Sequence, residues 1–113
     1  MSENCLFCKM IAGDITPSIV YENDRVLAFN DIAPQAPIHV LIIPKKHVAT
    51  LNDIDDNALL GELMQTASHL AKALGVADAG YRTVINCNAQ GGQAVYHLHV
   101  HLLAGRQMTW PAG

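Results

Sequence analysis

The sequence lacks several features that would each mark a particular class of protein. No apolar run approaches the roughly 18 residues that a membrane-spanning helix needs, since Val40–Ile43, the longest candidate, is followed by Pro44. The N-terminus shows no basic segment followed by an apolar one, so no secretory signal is predicted. Only 7 basic residues stand against 10 acidic ones, and a net charge of −3 excludes a strongly basic nucleic-acid binder. We therefore expect a soluble cytoplasmic protein that binds neither membrane nor nucleic acid.

Disulfides and internal repeats are also not predicted. The three cysteines, Cys5, Cys8 and Cys87, are odd in number in a sequence without a secretory signal, which disfavours a disulfide framework. No repeat or linker divides the 113 residues, and half of them are hydrophobic, which is enough for a core. The sequence predicts one domain over residues 1–113, with an N-terminal helical segment at residues 1–13 and a C-terminal tail at residues 105–113.

Hydrophobic periodicity predicts two helices and several short strands. The helices are expected over residues 4–13, ending at Gly13, and over residues 53–74, with Asp53 or Asp55 as the N-cap and Gly75 at the C-terminus. Strands are predicted at residues 19–21, 26–29, 38–43, 81–87 and 95–103. Short connections between strands favour antiparallel pairing, so the predicted fold class is α+β.

The most informative stretch is His97-Leu98-His99-Val100-His101. In a strand, its three histidines share one face and its apolar residues the other, which can pack under the long helix. A solvated strand face could carry such residues without any function. Three imidazoles could instead hold a catalytic zinc ion, or a neutral imidazole could attack phosphorus beside the Gly91-Gly92 loop, whose backbone N–H groups can approach phosphate oxygens.

These residues resemble the signature of the histidine-triad (HIT) superfamily. The resemblance extends over nearly the whole chain, through the stretches at residues 27–32, 34–37, 42–47, 91–93 and 105–108. The sequence is most similar to the Hint branch, which hydrolyses purine nucleoside phosphoramidates. The resemblance implies a five-stranded antiparallel sheet with two helices. It also implies a homodimer in which the two sheets join and the long helix lies at the interface.

The resemblance also implies roles for individual residues. His99 is expected to attack the α-phosphorus and to form a nucleotidyl-histidine intermediate, and His101 to contact the phosphate. The other two histidines of the catalytic set are His39 and His97. The expected nucleotide-binding residues are Asp31 and Ile32 at the ribose, Asn86, Gly92, Gln93 and Ala94 near the phosphate, with His99 and His101, and Trp110 from the partner subunit.

Cys5 and Cys8 have the C-x-x-C spacing that lets two thiolates bind one metal ion. The resemblance supplies His47 and His97 as the other two ligands of a structural zinc site, which the chemistry at His99 does not require. The alternative is a cysteine pair that only packs in a short helix.

Two positions leave the function open. Some relatives carry a serine where this chain has Ala94, and a methyl group cannot protonate a leaving amine. Trp110 lies in an irregular tail, residues 105–113, and could instead fold back on its own domain. The alternatives to a phosphoramidase are a nucleotide-binding regulatory protein with incidental hydrolysis and a zinc-dependent hydrolase.

Overall fold

The N-terminal helix forms close to the predicted residues and ends at Gly13. The computed structural model describes residues 4–113, so residues 1–3 of the expected N-terminal segment 1–13 lie outside the described residues. Helix α1 spans Leu6–Ala12, and the Sγ atom of its N-cap, Cys5, accepts a hydrogen bond from the Cys8 N–H. Gly13 follows with φ of 86°, a left-handed conformation that glycine adopts without steric cost.

Five strands form one sheet in which all neighbours are antiparallel. They are β1 (Ile19–Glu22), β2 (Val26–Asn30), β3 (Ile38–Pro44), β4 (Arg82–Val84) and β5 (Val100–Ala104). Their order across the sheet is β1-β2-β3-β5-β4, which places β3 and β5 side by side near its centre. The predicted α+β class and the five-stranded antiparallel sheet are confirmed.

The long helix, α2 (Asn57–Ala73), begins later than predicted. Its N-cap is Asp56, whose side chain accepts from the Leu59 N–H, and not Asp53 or Asp55. Asp53 is used in the preceding turn instead, where its carboxylate accepts from the backbone N–H and the hydroxyl of Thr50. The C-terminal prediction holds, because Gly75 directly follows the C-cap with φ of 77°.

Two further boundaries differ from the prediction. Strand β5 begins at Val100 and not at residue 95, because the Leu98 N–H donates to the Val48 carbonyl outside the ladder. Strand β4 covers only three of the predicted residues 81–87. A third, four-residue helix, α3 (Asn88–Gly91), forms where a loop was expected.

The sheet separates two hydrophobic clusters. On one face α2 packs against alternate residues of β3 and β5, and this core includes Val40, Ile42, Leu63, Leu98, Val100 and Leu102. On the other face α1 contributes Cys5, Phe7 and Cys8 to a cluster with Leu27, Phe29, Leu41 and Ile43. The predicted packing of the apolar face of the histidine stretch under α2 is therefore confirmed. Among residues 4–113, none of the helices is long and apolar enough to cross a membrane.

The packing of α2 makes a testable prediction. Leu63 is fully buried against the sheet, whereas Met64, the next residue, is 37% exposed. We expect Leu63→Ala to lower the free energy of unfolding by about 2–5 kcal/mol, because it removes buried methyl groups and leaves a cavity. Met64→Ala should cost less than about 1 kcal/mol. Urea denaturation of both variants checks this, and similar losses in the two would contradict the packing described.

Candidate active site

The three histidines of the H-x-H-x-H stretch lie on the α1 face of the sheet. His101 belongs to β5, while His97 and His99 precede it, so the strand is shorter than predicted but its alternation of faces persists. His97 is fully buried and His99 is 7% exposed. The ring centroids of His99 and His101 are 4.9 Å apart. The stretch therefore places its imidazoles close together and largely buried, unlike the side chains of a solvated strand face.

The ring of His99 is held in one tautomer. Its Nδ1 lies 2.7 Å from the carbonyl oxygen of His97. A carbonyl can only accept, so the proton is on Nδ1 and the lone pair is on Nε2. Burial lowers the pKa of His99 below its usual 6.5, although the His97 carbonyl and Asp31 oppose this effect. A neutral imidazole with a lone pair on Nε2 is a competent nucleophile near neutral pH.

His39 and His101 form a second histidine pair beside His99. His39 lies on β3, next to β5, and its Nε2 is 2.9 Å from Nδ1 of His101. Burial and, to a smaller extent, the neighbouring His99 and His39 together lower the pKa of His101 to about 4, while Asp31 opposes them. Of the buried side-chain nitrogen and oxygen atoms in residues 4–113, His101 Nε2 is the one without a hydrogen-bond partner. Water or a polar ligand atom would satisfy this nitrogen, and a buried nitrogen without a partner is costly.

Asp31 and Ile32 follow β2 at the edge of this histidine group. One carboxylate oxygen of Asp31 accepts from the Ala33 N–H, and the other lies 3.5 Å from His39 Nε2. Ile32 is 96% exposed, so its side chain is available to an apolar ligand group. The structure thus brings Asp31 to the histidines, and Ile32 follows it in the sequence with an exposed side chain.

The loop before the histidines is held together by its own hydrogen bonds. The buried Gln93 side chain donates to the carbonyls of Ala49 and Val95 and accepts from the Asn88 N–H. The N–H groups of Gly92 and Gln93 donate to the Ala89 and Asn88 carbonyls. Phosphate contact through these two N–H groups would therefore require them to share or exchange their present partners.

The remaining predicted nucleotide residues lie at different points around the sheet. Asn86 is half-buried and lies two residues after Val84, which pairs with His101 in the antiparallel ladder of β4 and β5. The chain after Val84 therefore runs in the direction of His99. Ala94 is exposed and lines a cleft of about 420 Å³ together with Cys5, His47 and Tyr96. Trp110 is 83% exposed, and its ring lies 5.9 Å from the guanidinium carbon of Arg82. It does not fold into the core of its own domain.

Cys5, Cys8, His47 and His97 form a compact group, the Cys/His cluster. Nδ1 of His97 lies 3.3 Å from Cys5 Sγ, 3.6 Å from Cys8 Sγ and 3.2 Å from Nδ1 of His47. Four ligands arranged tetrahedrally around zinc at usual bond lengths are about 3.3–3.8 Å apart. The donor set and its spacing therefore fit a zinc ion.

The protonation of His97 also fits a metal ligand. Its Nε2 donates to the Pro44 carbonyl over 2.8 Å, so the lone pair is on Nδ1, inside the cluster. Burial lowers the pKa of His97 to about 4, against an opposing effect of the Pro44 carbonyl. The ring thus remains neutral at physiological pH, as metal binding requires.

Asp31, His39 and His101 form another group with closely spaced ligand atoms. Two of these atoms, His39 Nε2 and His101 Nδ1, already share one proton in their hydrogen bond. A metal ion would need the lone pairs of both nitrogens, so this group is less suited to a metal than the Cys/His cluster.

Comparison with known proteins identifies the family. A model of the HIT domain matches residues 12–108. A structure described as a HIT family hydrolase from Legionella pneumophila has a TM-score of 0.95 and 56% identity, over 97% of this chain and all of that one. The chain belongs to the HIT family.

Two relatives match this HIT protein over most or all of their length. An uncharacterised HIT-like protein of Synechococcus elongatus is 51% identical over 115 residues, covering both chains fully. The purine nucleoside phosphoramidase of Escherichia coli is 46% identical over 110 residues, which are 96% of this chain and 92% of that protein. The predicted resemblance is confirmed, and the chain is a HIT-family hydrolase.

Sequence reasoning missed two contributors to the site of this HIT protein. Phe7 lies edge-on to His99, with ring centroids 5.2 Å apart, and also contacts the ring of His97. The available signal was weak: Phe7 is a large apolar residue at i, i+4 spacing with Ile11 in the predicted helix, a pattern that indicates a buried face but not its neighbours. The Pro44 carbonyl left no such signal, because a backbone oxygen is the same in every residue.

The lowered pKa of His101 predicts how stability depends on pH. The unfolded chain protonates His101 near pH 6.5 and the folded protein only near pH 4, so this histidine favours unfolding as the pH falls between those values. Between pH 7 and pH 4, the wild type should lose about 2 kcal/mol more free energy of unfolding than His101→Gln. Urea denaturation at fixed pH values measures the difference. Both proteins retain the Cys/His cluster, so its own pH dependence cancels in the comparison. Equal losses of unfolding free energy in the two proteins would mean that His101 is not held neutral.

Proposed function

We propose that this HIT protein hydrolyses purine nucleoside 5′-phosphoramidates through a covalent intermediate on His99. The main support is the state of the His99 ring. The ring is neutral, its Nδ1–H is held by the His97 carbonyl, and Nε2 of His99 carries the lone pair. The activity named for the Escherichia coli relative supports the choice of substrate class. An adenosine or guanosine phosphoramidate provides an electrophilic phosphorus for that lone pair.

The reaction proceeds in two displacements at phosphorus. Nε2 of His99 attacks the α-phosphorus, the P–N bond breaks, and the leaving nitrogen takes up a proton to depart as an amine. Water then attacks the phosphorus of the nucleotidyl-histidine and releases one proton to the solvent. The P–N bond to His99 breaks, which releases the nucleoside monophosphate and restores the neutral ring.

The surrounding residues bind and orient the substrate in this proposal. His101 stabilises the phosphoryl oxygens, and His39 is hydrogen-bonded to the far side of the His101 ring. His97 holds the His99 ring, and Asp31 and Ile32 contact the nucleoside. Asn86, Gly92, Gln93 and Ala94 lie along the phosphate and leaving group. Ala94 has no hydroxyl, so the proton for the leaving amine must come from another group or from water.

We also propose that the active form is a homodimer, in which Trp110 contributes to the nucleotide site of the partner subunit. The large exposed ring, held beside Arg82 and outside the core, supports this assignment. Trp residues with one exposed face are typical of interfaces, where their burial contributes strongly to binding. On this view the tail, residues 105–113, helps to define the leaving-group pocket.

The Cys/His cluster is proposed to bind a structural zinc ion. Its two thiolates and two imidazoles supply all four ligands of a closed tetrahedral site, whereas catalytic zinc needs an open position. Bound zinc would tie α1 to the end of β3 and to the start of the histidine stretch. The zinc-dependent hydrolase alternative needs the three imidazoles of the histidine stretch around one metal ion. It is disfavoured because His97 turns its Nδ1 toward Cys5 and not toward His99 and His101.

Replacing the nucleophile tests the proposed mechanism. We expect His99→Ala to reduce turnover of an adenosine phosphoramidate by at least about 1,000-fold, because the covalent step is lost, while AMP still binds. His69→Ala removes an exposed histidine on α2 and serves as the control. Steady-state kinetics and trapping of the nucleotidyl-enzyme measure the effect. Turnover above a tenth of the wild-type rate in His99→Ala would refute the assignment.

Metal analysis tests the zinc proposal. Protein purified without chelators should contain about one zinc ion per chain, and Cys8→Ser should lose it because one of the four ligands is weakened. Cys87→Ser is the matched control, since Cys87 lies outside the cluster. Cys8→Ser should also lower the thermal midpoint more than Cys87→Ser. Wild-type protein with less than a tenth of an equivalent of zinc would leave the cysteines as packing residues.

A further inference from the structure

The direction of the hydrogen bonds around His101 is set by a backbone amide outside the histidine motif. The N–H of Gln35 lies 3.0 Å from Nδ1 of His39. A backbone N–H can only donate, so Nδ1 of His39 carries a lone pair. Burial keeps this ring neutral by lowering its pKa, although Asp31 opposes the effect. A neutral His39 therefore carries its proton on Nε2.

The same reasoning passes from His39 to His101. Nε2 of His39 donates to Nδ1 of His101, 2.9 Å away, so Nδ1 of His101 is an acceptor. The proton of the neutral His101 ring is then on Nε2, the buried nitrogen that lacks a partner among the described residues. The chain of hydrogen bonds thus ends in an N–H donor, not in a lone pair.

Residues after β5 hold the backbone of Gln35 in place through its carbonyl. Nε of Arg106 donates to the Gln35 carbonyl over 3.1 Å. Gly105, with φ of 94°, packs so closely on Pro37 that a Cβ atom would lie 2.9 Å from that ring. The end of β5 therefore clamps the loop of residues 34–37, and the loop in turn presents its amide to His39.

We propose that the Gln35 backbone, whose carbonyl accepts from Arg106 and whose N–H faces His39, is a positioning element that makes His101 an obligatory donor from Nε2 to a phosphoryl oxygen of the substrate. This inference rests on the proposed function and names the group that decides which ring nitrogens donate and which accept hydrogen bonds in the site. Without the Gln35 N–H, His39 can carry its proton on Nδ1 and accept at Nε2. His101 would then turn a lone pair toward an anionic substrate, which repels it.

The test separates the amide from the side chain at position 35. Gln35→Pro removes the N–H, while Gln35→Ala retains it and removes only the exposed side chain. Long-range ¹H–¹⁵N correlation spectra of the imidazoles report which nitrogen of His39 and of His101 is protonated. We expect Nε2–H on both rings in the wild type and in Gln35→Ala, and a mixture or the reverse pattern in Gln35→Pro.

Kinetics with the same adenosine phosphoramidate complete the test. The kcat/KM of Gln35→Pro should be about 10- to 100-fold below that of Gln35→Ala, the range expected for losing one hydrogen bond to a charged oxygen. Unchanged tautomers in Gln35→Pro would overturn the proposal, and so would changed tautomers with equal kcat/KM. The spectra need no substrate, so they show which ring nitrogens are protonated whether or not the wild type hydrolyses phosphoramidates. Failure of the wild type to hydrolyse them would refute the proposed function and not the tautomer assignment.

A second pair of variants covers the case in which Gln35→Pro does not fold. Arg106→Ala keeps the Gln35 N–H but frees the Gln35 carbonyl, which loosens the backbone on both sides of Gln35. It should give mixed tautomers and a smaller loss of kcat/KM. Arg106→Lys can still donate one hydrogen bond to the Gln35 carbonyl and should recover part of that loss. Wild-type tautomers in Arg106→Ala, with Gln35→Pro unfolded, would overturn the role of the clamp.

Discussion

The rest of the site depends on the hydrogen bonds made by the buried residue His97. Its Nε2–H bonds to the Pro44 carbonyl at the end of β3, and its Nδ1 lies among the ligand atoms of the Cys/His cluster. Its backbone carbonyl then fixes the tautomer of His99. One residue therefore joins α1, the end of β3 and the proposed nucleophile, so a change in the cluster reaches the ring of His99 through His97.

The second physical constraint is that the histidines of the site are buried and must stay uncharged. His39, His97, His99 and His101 all have lowered pKa values, with desolvation as the largest cause. Neutral rings need defined donors and acceptors, because each has one N–H and one lone pair. Backbone groups supply them at Gln35, Pro44 and His97, and the pattern leaves a donor at His101 beside a lone pair at His99. An anionic electrophile is complementary to that combination.

Much of this arrangement could be predicted from local sequence, and particular failures show where the limit lies. The alternation of Leu98, Val100 and Leu102 predicted the face under α2, and Gly75 predicted the end of α2. Asp53 was a reasonable N-cap by residue type, but Thr50 recruits it into a turn, and Asp56 caps the helix. His39 and His47 came from family resemblance alone, because nothing in their immediate neighbours distinguishes them from other polar residues.

The sequence by itself determined the strand periodicity, the α+β class and the set of histidines and cysteines available for chemistry, since these depend on residue type and short-range spacing. Only the tertiary structure decided which nitrogen of each histidine carries the proton. That choice depends on backbone amides and carbonyls from other segments, such as Pro44 for His97 and Gln35 for His39. Backbone groups are the same at nearly every position, so their placement becomes visible only when the sheet brings β3, β5 and their loops together.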